Sequence, residues 1–144
     1  MSEANQSIDA RGAGEPAAAF GRRELSLSPE QMPNLAPMIY RQRLFIEGTC
    51  PAPIGAAAIR RYLTELSAVC DMQALIDPVT HRSDRYGWAG WVHWDASGVH
   101  FYAWERPLLF FSVDIYTCKR FDAGRVVDFT ADFFDAGHVV ASGF

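Results

Sequence analysis

Cysteine is scarce in this chain of 144 residues: three in all, at 50, 70 and 118. No two stand in a C-x-x-C spacing, and an odd number cannot all pair within one chain. A disulfide scaffold is therefore excluded, and a reduced, cytoplasmic setting is the simplest expectation. Basic residues are also few, 13 Lys and Arg against 17 Asp and Glu, for a net charge of −4. Nucleic-acid binding, which needs clustered cations, is not expected. The longest apolar run, "PLLFFSV", is far too short to span a bilayer. The N-terminus shows no basic stretch followed by an apolar one, so no secretory signal is expected.

What is present suffices for a core without disulfides. Hydrophobic residues make up 49% of the chain and aromatic residues 13%. Residues 1–37 are rich in Ala, Gly, Ser, Pro and charge with no sustained period, and are expected to be a mostly disordered extension. One helical turn is possible there, at "SPEQM", with Ser28 as its cap. Residues 38–144 read as one domain.

Within that domain "MIYRQRLFIEG" predicts a strand that ends at Gly48. Ile59, Tyr62, Leu63, Leu66, Val69 and Cys70 recur at helical spacing, so Ile54 to Cys70 predicts a helix. "DMQALID" reads as a short strand and "PVTHRSDRYG" as a polar loop. Three strands follow: Trp88 to Asp95, Ser97 to Trp104 and Leu109 to Thr117. A second helix is expected from Asp122 to Asp135, with Val126, Val127, Thr130, Phe133 and Phe134 as its buried stripe. "HVVAS" is expected to add a last edge strand. Short links between successive strands favour antiparallel pairing. The expected fold is α+β, a two-layer sandwich of an antiparallel sheet with two helices on one face. The other face carries many aromatic residues, and a second copy of the chain is the expected cover, giving a homodimer.

The chemistry-bearing stretch is "GWAGWVHWDASGVHFYAWERPLLFFSVDIYTC", Gly87 to Cys118. By itself Ser97 reads as a small residue in a tight turn, and Cys118 as a strand-end thiol. Cys50 and Cys70 read as structural. His93, His100 and Asp95 have no recognised metal-ligand spacing, so no metal is expected. The four tryptophans read as packing or interface groups, one of which could stack on an adenine. Ser97 is not in a G-x-S-x-G elbow, which argues against a hydrolase.

"HRSDRYGWAGWVHWDAS", then Trp104, then "VDIYTC" together resemble the bacterial S-adenosylmethionine decarboxylases. His81, Arg82, Tyr86, Gly87, Gly90 and Ser97 fall on that family's pattern without a gap. Trp104 stands at the family's distance from the serine, and "RLFIEG" resembles its first strand. The resemblance implies a serine that cuts the chain before itself and becomes a pyruvoyl group, here between Ala96 and Ser97, with no metal. Such a ketone takes the substrate amine and serves as an electron sink for decarboxylation. It implies S-adenosylmethionine or a related amino acid as substrate, in polyamine biosynthesis. It makes Cys118 the acid that protonates the product, and assigns Trp104 and Glu105 to the substrate.

The chain departs from the pattern at several proton-handling positions. Ala96 replaces a glutamate, Gly98 and Tyr102 replace histidines, and Ala89 replaces a serine. The family's W-P-E triplet is Trp104-Glu105-Arg106. Tyr102 is a poor base at neutral pH; His100, two residues earlier on the same strand face, is the expected substitute. His93 and Asp95 are expected to share a face of the preceding strand and to orient a proton relay. The alternatives are an unprocessed homologue that binds a ligand or regulates a partner subunit, or a different reaction on the same scaffold.

Overall fold

A computed structural model of the chain describes residues 32–144. The expected N-terminal extension up to residue 31, with most of "SPEQM", lies outside the described residues. Residues 37–144 form one compact unit. Its elements run β1 (Gln42–Thr49), α1 (Ala56–Val69), β2 (Val79–Ser83), β3 (Gly87–Trp94), β4 (Ser97–Trp104), β5 (Phe110–Thr117), α2 (Ala123–Phe133) and β6 (His138–Gly143). The six strands make one sheet in the order β2-β3-β4-β5-β1-β6, with every neighbouring pair antiparallel. The expected α+β sandwich is the observed architecture.

Strand alternation sorts the sheet into two faces. Leu44, Ile46, Val92, Trp94, Val99, Phe101, Phe111, Val113 and Ile115 are buried on the helical face. Helix α1 adds Ile59, Tyr62, Leu63 and Leu66, the apolar stripe its spacing predicts. It packs close because residue 90 is glycine: a Cβ there would stand 2.4 Å from Ile59 Cγ2. Helix α2 starts on Asp122, whose carboxylate accepts the Arg125 amide at 3.0 Å and satisfies one free donor of the first turn. Tyr62 sits at the centre of the core. Its ring lies 5.3 Å from Phe101 and 4.8 Å from Phe134, and its hydroxyl shares a 2.9 Å hydrogen bond with Thr130. Aromatic burial of this kind contributes roughly 1.5–3 kcal/mol per side chain.

Four local expectations need correction. The first strand begins at Gln42, not Met38, because its partner β5 ends at Thr117, opposite Gln42. "DMQALID" forms only a single bridge, Ala74 to Trp94, and Leu75 and Ile76 are exposed. The polar "VTHRS" is strand β2 rather than loop: it is an edge strand, mostly exposed, so backbone pairing with β3 holds it without an apolar pattern. In α2, Val126 and Thr130 are fully buried, while Val127 and Phe133 are only partly so. The final strand is present as β6, an edge strand beside β1.

Candidate active site

Strands β3 and β4 form a tight hairpin. Trp94 pairs with Ser97, and Asp95 and Ala96 make the turn between them. The pairing forces an unusual backbone on Ser97, whose φ is +131°. A non-glycine residue there carries strain of about 1–3 kcal/mol, and such strain clusters at functional positions. On its other side Ser97 pairs with Thr117, the last residue of β5. This places the next residue, Cys118, beside it: Ser97 Oγ and Cys118 Sγ are 3.9 Å apart. Cys118 is exposed, and it is a free thiol, as are Cys50 and Cys70.

The peptide bond before Ser97 is held as well. The Cys118 amide donates to the Ala96 carbonyl oxygen at 2.9 Å. The turn is steadied by residues 71–75, which run along the end of β3. The Asp95 amide donates to the Gln73 carbonyl at 3.0 Å, and the Leu75 amide to the His93 carbonyl at 2.9 Å. Lys119 ties that segment to the end of β5 through the Asp71 backbone carbonyl and, at 3.0 Å, the Asp71 carboxylate. Below the hairpin, Trp94 Nε1 donates to Ser67 Oγ at 2.8 Å in the buried core.

The helix-free face of the sheet is organised in rows set by strand register. The row beside Ser97 reads Arg43, Tyr116, Gly98, His93 across β1, β5, β4 and β3; the next reads Phe45, Asp114, His100, Trp91. These two rows and Ser97 line an open cavity of about 510 Å³. The Arg43 guanidinium lies over the Tyr116 ring at 4.2 Å. His100 Nδ1 and the Tyr102 hydroxyl share a 3.2 Å hydrogen bond. Burial pushes the Asp114 carboxyl up from its ordinary value, partly countered by His100.

Of the sequence-predicted residues, Ser97 and Cys118 meet, and His100 lines the cavity with Ser97. Tyr102 is joined to the site through His100. Trp104 ends β4, seven residues or about 23 Å from Ser97 along the strand, and Glu105 is the residue after it. There Trp104 packs on Phe110, ring centres 5.4 Å apart, and Glu105 faces Arg82 at 3.7 Å. Asp95 lies in the turn, so it does not extend the strand face that carries His93. Sequence reasoning passed over Arg43, Asp114 and Tyr116, although the alternation of "VDIYTC" already sets Asp114 and Tyr116 on one face. Among the described residues no group of three His, Cys, Asp or Glu side chains is placed to hold a metal ion, and no helix is long and apolar enough to cross a membrane.

Fold and site together define a two-layer α+β protein with a strained serine and a cysteine at one end of its sheet. The family model described as S-adenosylmethionine decarboxylase matches residues 54–144, and the chain belongs to that family. Among solved structures it is similar to the adenosylmethionine decarboxylase of Aquifex aeolicus VF5, with a TM-score of 0.60 and 15% identity over 74% of this chain and 89% of that one. A search of curated proteins found no match.

Proposed function

We propose that the chain cuts itself between Ala96 and Ser97 and decarboxylates S-adenosylmethionine or a related amino acid, in polyamine biosynthesis. The observation that carries this reading is the state of the Ala96–Ser97 bond. The strained residue is the one whose hydroxyl must attack, and the carbonyl to be attacked already accepts a hydrogen bond from the Cys118 amide. That amide is placed to stabilise the oxyanion as Ser97 Oγ adds to the Ala96 carbonyl carbon. The C–N bond then breaks, leaving an ester and the free Ser97 amine. A base removes the Ser97 α-proton, and the Cβ–O bond breaks to release Ala96 as a carboxylate. Tautomerisation and hydrolysis release ammonia and leave a ketone at residue 97.

The residues present fit that group: Ser97 is its precursor, and Cys118 flanks it. A pyruvoyl group, once formed, supplies the carbonyl that takes up the substrate amine and the electrons left by carbon dioxide. The Cys118 thiol, 3.9 Å from Ser97 Oγ, is the acid that protonates the product carbon. His100 lies three residues, about 10 Å, along β4 from Ser97, and serves as the base of the elimination through a bridging water. With Nδ1 engaged by Tyr102, its Nε2 is left for proton transfer.

In this reading the protein is a homodimer joined through the helix-free face, where Phe45 and Trp91 stay 42% and 39% exposed. Trp104 and Glu105 lie too far along β4 to serve their own Ser97. A two-fold pairing of sheets lays the Trp104 end of one β4 over the Ser97 end of the other. Three free cysteines are in keeping with a reduced, cytoplasmic setting.

The replaced family positions support a second reading, an uncut homologue that binds a ligand, partners another subunit or runs different chemistry. Ala96 and Gly98 have no proton-handling side chain, and a Cβ at residue 98 would stand 2.6 Å from the Val92 carbonyl oxygen. Intact mass under denaturing conditions decides between them. Two fragments meeting at Ala96–Ser97, the second lighter by one ammonia than a hydrolytic fragment, are expected. A single chain stable over days would leave the second reading.

A further inference from the structure

We propose that Thr117 is a positioning residue for self-cleavage: its buried hydroxyl shapes the bend after β5 and so aims the Cys118 amide and thiol at the Ala96–Ser97 bond. The inference rests on the self-cleavage reading for the use of that bond, and it adds the side chain that sets the geometry.

Thr117 is the last residue of β5 and is wholly buried. Valine has the same shape and would fill that space with no polar atom, whereas a buried hydroxyl is costly unless it is hydrogen-bonded. The Thr117 hydroxyl has two partners. It accepts the Lys119 amide at 3.0 Å and donates to the sulfur of Met72, 3.9 Å away and itself buried. Donation to the sulfur fixes the direction of the hydroxyl proton and leaves a lone pair facing Lys119. A hydroxyl that takes up the amide two residues on closes a turn around the residue between. Here that residue is Cys118.

Cys118 lies just beyond the last rung of the ladder, where Thr117 pairs with Ser97 on one side and Gln42 on the other. Gln42 pins the far end of the bend. Its side-chain carbonyl accepts the Phe121 amide and its amide nitrogen donates to the Phe121 carbonyl, both at 3.1 Å. Of the ties on this bend, the Thr117 hydroxyl is the one next to Cys118. Both Cys118 contacts depend on the turn it closes: the amide 2.9 Å from the Ala96 carbonyl oxygen, and the thiol 3.9 Å from Ser97 Oγ. Without the hydroxyl the Lys119 amide loses its acceptor and the bend loosens. A displacement of about 1 Å at a group that stabilises a transition state can cost roughly a hundredfold in rate.

The test compares two variants of the full chain: Thr117→Val, which keeps the shape without the hydroxyl, and Thr117→Ser, which keeps the hydroxyl. The first readout uses the Ser97→Ala background, which cannot cut itself. There Thr117→Val is expected to speed hydrogen exchange of the Cys118 amide by about tenfold or more and to leave the Ile115 amide unchanged, while Thr117→Ser restores Cys118 protection. The second readout is the rate at which the two fragments appear in chains that retain Ser97. Thr117→Val is expected to slow it by about tenfold or more, and Thr117→Ser to return it to near the parent rate. Unmoved exchange at Cys118, exchange that rises equally at Ile115, a valine variant that cuts as fast as the parent, or a serine variant that restores neither readout overturns the proposal. A parent chain that never cuts counts against the self-cleavage reading alone, and exchange at Cys118 then decides whether Thr117 positions it.

Discussion

The Cys118 amide reaches back across the sheet end and donates to the Ala96 carbonyl oxygen at 2.9 Å, while its thiol stands 3.9 Å from the Ser97 hydroxyl. One residue thus touches both sides of the bond that self-cleavage would break. Its two contacts are separable. Cys118→Ser keeps the backbone donor but replaces the thiol by a far weaker acid. It is expected to cut itself and then decarboxylate at least tenfold more slowly, a loss in line with removing a general acid. Fragment mass and carbon dioxide release, measured on the same sample, check the two steps independently.

Ser97 carries the strain, and its substitutions separate strain from chemistry. Ser97→Ala removes the nucleophile but keeps a Cβ at φ +131°, so the chain stays whole at nearly native stability. Ser97→Gly also stays whole, but relieves the strain at the expense of some backbone entropy. It is expected to be more stable than Ser97→Ala by about 1 kcal/mol. Urea unfolding of the two uncut variants gives that difference directly.

The sheet interior was legible because β3, β4 and β5 alternate strictly, and the helices because Ile59, Tyr62, Leu63 and Leu66 keep one face. The hairpin and the Ser97–Cys118 pair follow from the resemblance together with that alternation. Strand β2 was missed because an exposed edge strand needs no apolar period. The ends of β1 depend on where its partner stops, which β1's own residues do not encode. Asp71 and Lys119 are 48 positions apart, and only the folded register shows that they brace the hairpin. Asp114 and Arg43 line one cavity from neighbouring strands, which no local pattern displays.

That brace makes its own prediction. The Asp71 side chain is 95% exposed and that of Lys119 is 50% exposed, so their ion pair contributes at most about 1 kcal/mol to stability. It links the end of β5 to residues 71–75, which hydrogen-bond to the turn. Lys119→Ala is therefore expected to leave the unfolding midpoint almost unchanged while slowing the appearance of the two fragments several-fold. Equal cleavage rates in parent and variant would show that the turn is set by the β3–β4 pairing alone.

Cys70 sets a limit on alkaline stability. Its thiol is buried at the end of α1, and burial pushes its pKa up from 9.0 to about 12, slightly opposed by the Arg125 charge. The folded chain therefore keeps this proton at a pH where the unfolded chain has lost it. The stability from the neutral thiol is fully present below pH 9 and drains away as the pH rises toward 12. At about 1.4 kcal/mol per pH unit, the full effect is of the order of a few kcal/mol. Cys70→Ala is less stable at pH 7 by roughly 1–2 kcal/mol, because a small cavity replaces the sulfur. Its stability should then fall less steeply between pH 9 and pH 11 than that of the parent, so the two curves converge. Urea midpoints at half-unit steps test this, and parallel curves would mean that the buried thiol does not govern the alkaline limb.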